Sequence, residues 1–379
     1  MRQPSIAILC PHQPGSGFGG AEQHLADLAI VLQSLQADVS FLSREAAGSD
    51  SIIERITGRA FPLLRSPLAS RRLRGRDAIS RADLLLSIEL MGIGIEHPKH
   101  LHLFFGSYAA FRNDALPPSA GIRKFTASTI TSIAAALERS TQGSLGAIAN
   151  SFGLRDALRS HGIPVRDEIL LPPTNTSRFR LGSKKEARRQ LGLPEGGVVL
   201  LFAGRWEYAK GADRVEKLIA CMPTDWIIIL SCPSSSTWPW PEDPRVIRVL
   251  DTKNEDMPWL YQAADVFVQP SRFEGYSLVV SEAQACGCPV TTSDVGHARH
   301  LAAGGDLVSL GVVRDADSPC QWMHTLQLML QAVKDGRRAD LAARGFAEAT
   351  VSHKAVALQW AAFATKILPE FEWHPRLAS

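Results

Sequence analysis

No stretch of this 379-residue chain stays apolar for the roughly 20 residues that a membrane-spanning helix needs, so no span is expected. The six cysteines include no CxxC pair. That removes the common dithiol and zinc spacings and suits a reduced, cytosolic protein. Cys286 and Cys288 flank Gly287 at an expected helix end, where packing explains them better than metal. The net charge is only +3, too small to argue for a nucleic-acid partner. No GK[ST] triplet occurs, so no Walker loop is present. Asp251, Asp256 and Asp265 stand apart, and no acidic DxD-type pair is expected beside a strand end in the second half. No metal site is therefore expected. Met1-Arg2-Gln3-Pro4 leads directly into a short strand ending at Pro11, and no signal peptide is expected.

The length points to two domains, and a hydrophobic content of 45% is enough for two cores. In the first half Ser5–Cys10, Val39–Leu42, Asp83–Ile88, His100–Phe105, Gly146–Asn150 and Glu168–Leu171 read as strands. Helical periodicity covers Ala21–Leu35, where Leu25, Leu28, Ala29 and Leu32 share a face, then Thr126–Arg139 and Leu154–Ser160. The second half alternates in the same way. Strands are expected at Val198–Ala203, Trp226–Ser231, Val246–Leu250, Asp265–Gln269 and Pro289–Thr292, with helices at Lys184–Leu191, Ala212–Ala220 and Leu278–Cys286. Ser231–Pro244, rich in Pro, Ser and Trp, reads as a loop, and Ser352–Ile367 as a final helix. Both halves are thus α/β and doubly wound.

Three features of the first half allow more than one reading. Gly15-Ser16-Gly17-Phe18-Gly19-Gly20 matches GxGxxG, with Glu45 roughly where a ribose-binding acid would stand. That would make an NAD-linked oxidoreductase, but Pro11–Pro14 separates the loop from its strand. Gly19-Gly20 is better read as a loop close to a ligand held mainly by the other domain. Arg55, Arg59, Arg65, Arg71, Arg72, Arg74, Arg76 and Arg81 face only Glu54 and Asp77. The run reads as a solvated face, or as a surface for an anionic acceptor or an acidic membrane. His97, His100 and His102 lack a third metal ligand at sensible spacing and read as structural or substrate-facing.

The chemistry concentrates in Asp265–Gly296. Glu274 follows a strand and Glu282 lies about a turn into the next helix. The C-terminal ends of parallel strands are where such sheets bind ligands. Carboxylates accept the paired donors of vicinal hydroxyls. Gly275-Tyr276-Ser277-Leu278 leads into a helix N-terminus, whose N–H groups favour phosphate or sugar oxygens. The strand-to-helix turn Gly204-Arg205-Trp206-Glu207-Tyr208-Ala209-Lys210-Gly211 adds two cations suited to a diphosphate. Together these residues point to a nucleotide sugar.

The combination resembles the GT-B glycosyltransferases of the retaining family 4 kind, over most of the chain. The resemblance is carried by Gly19-Gly20-Ala21-Glu22, Ala149-Asn150-Ser151, Leu171-Pro172-Pro173-Thr174-Asn175, Arg205 with Lys210-Gly211, Tyr261 through Ser271, and Glu274 with Glu282 as an E-x7-E signature. There are two departures. Phe105-Gly106 stands where the family often has a histidine, with His102 three residues earlier, and His297-Ala298-Arg299-His300 replaces a customary glutamate after Gly296.

The resemblance implies two Rossmann-like domains facing across a cleft. Residues 1–175 would be the acceptor side, with a helix over about 355–379 packing back on them; residues 176–354 would hold the donor. It implies transfer of a hexose-type sugar, with retention, to a glycan, lipid-linked or small-molecule acceptor. No metal or cofactor is implied beyond the donor itself. Arg205, Lys210 and Glu274 would be catalytic. Gly19, Gly20, Gly204, Gly275, Tyr276, Ser277, Leu278 and Glu282 would bind the donor. A non-catalytic binding protein of the same fold is the alternative that intact Arg205, Lys210, Glu274 and Glu282 oppose. Peripheral membrane contact through Arg55–Arg81, at the cytoplasmic face, is a further expectation.

Overall fold

The computed structural model describes residues 2–14, 20–47, 62–116, 122–236, 238–298, 309–335 and 339–376. Gly15–Gly19, and with them most of the GxGxxG match, lie outside the described residues, as do Arg55 and Arg59. The chain divides into two compact units. One comprises Met1–Asn113, Pro118–Pro173 and His353–Ser379; the other comprises Asp114–Pro117 and Thr174–Ser352.

The first unit holds a parallel sheet of β1 (Ser5–Cys10), β2 (Asp38–Ser43), β3 (Leu84–Ile88), β4 (His100–Phe104) and β5 (Ala147–Ala149), in the order β2-β1-β3-β4-β5. The expected sixth strand, Glu168–Leu171, is reduced to a single bridge between Ala149 and Ile169. Pro172-Pro173 follows at once, and a residue without an N–H cannot extend the ladder. β3 and β4 are buried along their whole length, with Ser87, His100 and His102 as their polar members. The helix His353–Ile367 packs on this unit. Val356, Trp360, Phe363 and Ile367 join Ile6, Ile8, Leu25 and Leu28 in one core, and His353 Nε2 lies 3.0 Å from Asp27 Oδ1.

The three histidines singled out in the sequence are interior. Ser87 Oγ stands 2.7 Å from His100 Nε2 and 2.8 Å from His102 Nδ1, with all three residues buried. Burial holds His100 down to about 4, and His102 well below the usual histidine range. His97 bonds the carbonyl of Ala82 at 3.0 Å. These are structural histidines.

The second unit is built on β6 (Val198–Ala203), β7 (Trp226–Cys232), β8 (Val246–Leu250), β9 (Val266–Gln269), β10 (Val290–Ser293) and β11 (Leu310–Val313). All pairings are parallel, in the order β11-β10-β9-β6-β7-β8. The strand order reverses between β6 and β9, which pair directly. At such a switch point the flanking connections leave on opposite faces and open a crevice beyond the strand ends. The expected site residues lie just past the ends of these two strands.

Candidate active site

β6 ends at Ala203, and Gly204 turns the chain away with φ +142°. Arg205 follows, more than half exposed, with its guanidinium 3.1 Å from Glu207 Oε1. A short 3-10 turn, Tyr208–Lys210, then brings the chain to Gly211 and the helix Ala212–Cys221. β9 ends at Gln269 and is followed by Pro270–Ser277 and the helix Leu278–Ala285. The two connections touch at Gly211. Its φ is +80°, and a Cβ there would lie 2.2 Å from the carbonyl oxygen of Pro270. Glycine is thus required twice over, by conformation and by space.

Several bonds lace the connections together. Arg272 donates its backbone N–H to Ala209 O at 2.9 Å, and its guanidinium grips Asp213 at 2.7 and 2.8 Å. The same guanidinium lies 3.5 Å above the Tyr208 ring. Arg214 donates to Pro270 O at 2.9 Å and pairs with Asp317 at the same distance. Burial works against the charge on Arg272, but the bonds to Asp213 outweigh it and its pKa rises. These residues hold the frame on which the two connections carry the site.

Within that frame Lys210 Nζ donates to Glu274 Oε1 at 2.7 Å, and the Ser271 hydroxyl donates to the same oxygen at 2.7 Å. Two donors on one oxygen fix the carboxylate. Gly296 (φ +58°) closes on it from the other side, and a Cβ there would lie 3.1 Å from Glu274 Cβ.

Gly275 leads to Tyr276, whose ring is buried, with its oxygen 2.7 Å from Ser281 Oγ. Tyr276 therefore offers a ligand its backbone. Ser277 has φ +91°, an uncommon conformation for a residue with a Cβ, and accepts a bond from the Gln269 amide. Gln269 in turn accepts from Thr292 at 2.8 Å, so β9 and β10 hold Ser277 in place. Strain of this kind concentrates at ligand sites. Leu278 begins the helix, and Ser277 gives it no side-chain cap. Glu282, half-buried one turn on, accepts from the hydroxyl of Tyr261 at 2.9 Å.

The second unit thus carries Gly204, Arg205, Lys210, Glu274, Gly275, Tyr276, Ser277, Leu278 and Glu282, and joins Lys210 directly to Glu274. Gly20 is in the first unit, where it opens the helix Gly20–Ser34; Gly19 is outside the described residues. Glu45, the acid a dinucleotide loop would require, lies 3.0 Å from His12.

One expectation is corrected. An acidic DxD pair does stand beyond a strand end, at Asp315-Ala316-Asp317 after β11. Asp317 is occupied by Arg214 at 2.9 Å and lies 3.5 Å from Arg272. A carboxylate neutralised by two guanidinium groups is a poor metal ligand. Ser271, Arg272, Arg214 and Tyr261 were not among the expected site residues. Of these, Tyr261 and Ser271 lie in the segment that carried the family resemblance, and Arg214 and Arg272 carried no signal of their own.

Comparison with known proteins agrees with this architecture. Residues 197–331 match the family model described as glycosyl transferases group 1. A D-inositol 3-phosphate glycosyltransferase of Salinispora arenicola is 34% identical over 204 residues, 47% of this chain and 44% of that protein. One from Mycobacterium tuberculosis is 34% identical over 154 residues, 38% of this chain and 32% of its own. The chain thus aligns with less than half the length of these curated relatives.

Among solved structures, sucrose-phosphate synthase from Thermosynechococcus elongatus superimposes with a TM-score of 0.74 at 19% identity, covering 98% of this chain and all of that one. The glycosyltransferase WaaG gives 0.67 at 18% identity over 96% of this chain and 99% of its own. HepE of Anabaena, solved with UDP-glucose, gives 0.63 at 16% identity over 96% and 99%. The fold, two parallel-sheet Rossmann-like units, is that of the GT-B glycosyltransferases. Residues 197–331, which hold Arg205, Lys210, Glu274 and Glu282, are thus the part of this chain that is similar to the glycosyl transferases group 1.

Proposed function

We propose that the protein transfers a hexose-type sugar from a nucleoside-diphosphate sugar to a glycan, lipid-linked or small-molecule acceptor, with retention of configuration and without a metal ion. The observation that carries this reading is the pairing of Lys210 and Glu274 at the switch point of the second sheet. Lys210 and Arg205 stand where the leaving diphosphate gains charge, and fixed cations stabilise such charge more in the transition state than in the ground state. Glu274 has Oε1 held by Lys210 and Ser271, and no bond to Oε2 occurs among the described residues. Oε2 is the acceptor for a hydroxyl of the donor sugar.

The amides of Gly275–Leu278 serve the phosphate and sugar oxygens, and Glu282 takes the ribose hydroxyls. No protein group is assigned as general base. In a retaining reaction of this kind the departing phosphate can take the acceptor proton on the same face. The exposed Arg71, Arg74, Arg76 and Arg81 of the first unit are assigned to an anionic acceptor or membrane surface. The protein acts in the cytoplasm.

Binding of a panel that includes UDP-glucose and GDP-sugars, followed by slow donor hydrolysis, tests the donor without knowledge of the acceptor. D-inositol 3-phosphate, the substrate in the names of the relatives, is one acceptor probe. NMR of the glycoside formed reads retention directly. Binding of NAD(H) in place of every nucleotide sugar would overturn the reading.

A further inference from the structure

Resting on the reading in which Glu282 receives the donor ribose, we propose that Tyr261 is the positioning residue that aims this carboxylate and so sets the preference for ribose. Tyr261 lies in the helix Met257–Ala263, just before β9, and Glu282 in the helix just after it. One hydrogen bond, from the Tyr261 hydroxyl to Glu282 Oε2 at 2.9 Å, joins the two helices that flank the strand leading to Glu274.

The tyrosine is fully buried, and its ring is set edge-on between Phe179 and Phe267, with centroids at 6.1 and 5.6 Å. The aromatic core therefore fixes where the hydroxyl sits, and the hydroxyl fixes the glutamate. Side chains that bind ligands are held to useful precision in this way, by neighbours whose own rotamers are locked. Burial, with the adjacent Glu282 charge, keeps the phenol protonated and able to donate.

The chemistry of this support differs from that at the other glutamate. Glu274 is held by a cation, Lys210, which compensates its charge. Tyr261 is a neutral donor. It bonds one oxygen of Glu282 and brings no charge of its own, and a carboxylate is a strong acceptor for vicinal hydroxyls. A ligand lacking one of those hydroxyls loses the benefit.

The experiment measures binding of UDP, GDP, ADP and CDP by calorimetry, then of the tightest binder and its 2′-deoxy form. Wild type is expected to prefer the ribose form by about tenfold, the lower end for hydrogen bonds to a charged group. Tyr261→Phe removes one oxygen and keeps the ring. It should weaken the ribose form by about tenfold, leave the deoxy form nearly unchanged, and bring their ratio to about two or below. In a Glu282→Ala background, Tyr261→Phe should change the ratio no further.

A merely structural tyrosine would weaken both forms alike, so a wild-type ratio in Tyr261→Phe overturns the proposal. Should that variant not fold, Glu282→Gln serves instead. It keeps an oxygen for the tyrosine but loses the charge, so a wild-type ratio there overturns the proposal equally. If wild type binds none of the four nucleotides, the donor reading itself falls, a result separate from a retained ratio.

Discussion

Lys210 and Glu274 stand 64 residues apart in the chain and 2.7 Å apart in the fold. The pair is largely shielded, with the lysine side chain 25% and the glutamate side chain 11% exposed. The cation proposed for a diphosphate and the acid proposed for a sugar are thus one unit. Losing either disturbs the other.

Substitutions at the two cations should therefore separate stability from turnover. Arg205→Ala and Lys210→Ala are each expected to lower turnover about a hundredfold, the scale seen when one transition-state contact is removed. Arg205 is mostly exposed, and its loss should leave the unfolding midpoint unchanged. Lys210→Ala leaves Glu274 with Ser271 as its remaining bonded partner among the described residues, and should cost about 1–3 kcal/mol in stability. Turnover at saturating donor and denaturant midpoints read both effects. Undiminished turnover in both variants would remove the diphosphate role.

The glutamates, the cations and the glycine turn were legible in the sequence because each sits in a local pattern, just past an apolar strand. Most of the strands were legible because parallel strands buried on both faces are rich in apolar residues. What holds the site was not legible. Arg214 reaches Asp317 across 103 residues and Arg272 reaches Asp213 across 59, and neither partner is near the other in the chain. Tyr261 opens the segment that carried the resemblance, but its bond to Glu282 was not legible there, since that partner depends on how two helices flank β9. The literal DxD at Asp315–Asp317 shows the converse. A pattern can be present in the sequence while its charges are engaged elsewhere in the fold.

Chelation supplies the next prediction. Asp317 is bound by arginine, and the charges facing the proposed diphosphate are Arg205 and Lys210. Transfer is expected to continue in excess EDTA at its original rate. Complete inactivation that added magnesium or manganese restores would show that a metal shares the charge of the leaving group.

Acid should weaken the first unit before a neutral-pH assay suggests it. His24 stacks on Phe105 at 3.8 Å, and burial holds it down to about 3. His100 is held down to about 4, also by burial. Such a group is neutral when folded but takes up a proton near pH 6.5 when unfolded. The unfolded state then binds more protons, so stability falls as pH drops from about 6.5 towards the folded values. Each histidine contributes a slope of up to about 1.4 kcal/mol per pH unit in that window. Unfolding midpoints at pH 7 and pH 5 should differ clearly in wild type and less in His24→Leu. Equal pH dependence in the two proteins would show that His24 does not titrate as its burial implies.

The arginine-rich stretch yields the last prediction. In the helix Arg65–Leu73, Ser66, Ala69, Ser70 and Leu73 are buried, at the spacing that marks one helical face. That face is anchored, since Gly92 N–H donates to Ser70 Oγ at 2.9 Å. Arg71 is therefore turned outward, and Arg74, Arg76 and Arg81 are also exposed. Arg81 is paired with Asp77, and Arg74 is bonded to the carbonyl of Gly94. Arg71 and Arg76 are the exposed members for which no such partner is seen among the described residues, and they are the ones to change. In the proposed reading the second unit holds the donor, and the charge gathered on the first is assigned to the acceptor or to the surface that carries it. An electrostatic surface of this kind loses strength as the screening length shortens, to about 8 Å at physiological ionic strength. Arg71→Gln with Arg76→Gln should raise the Michaelis constant for the acceptor severalfold and leave donor affinity alone. The same pair should reduce binding to vesicles containing anionic lipid while binding to zwitterionic vesicles stays low in both proteins. Each basic residue near such a surface contributes about 1 kcal/mol, so the double change should weaken vesicle binding by about thirtyfold at low salt and by less as salt rises. An acceptor Michaelis constant and vesicle affinity indifferent to both the substitutions and salt would make these arginines an ordinary solvated face.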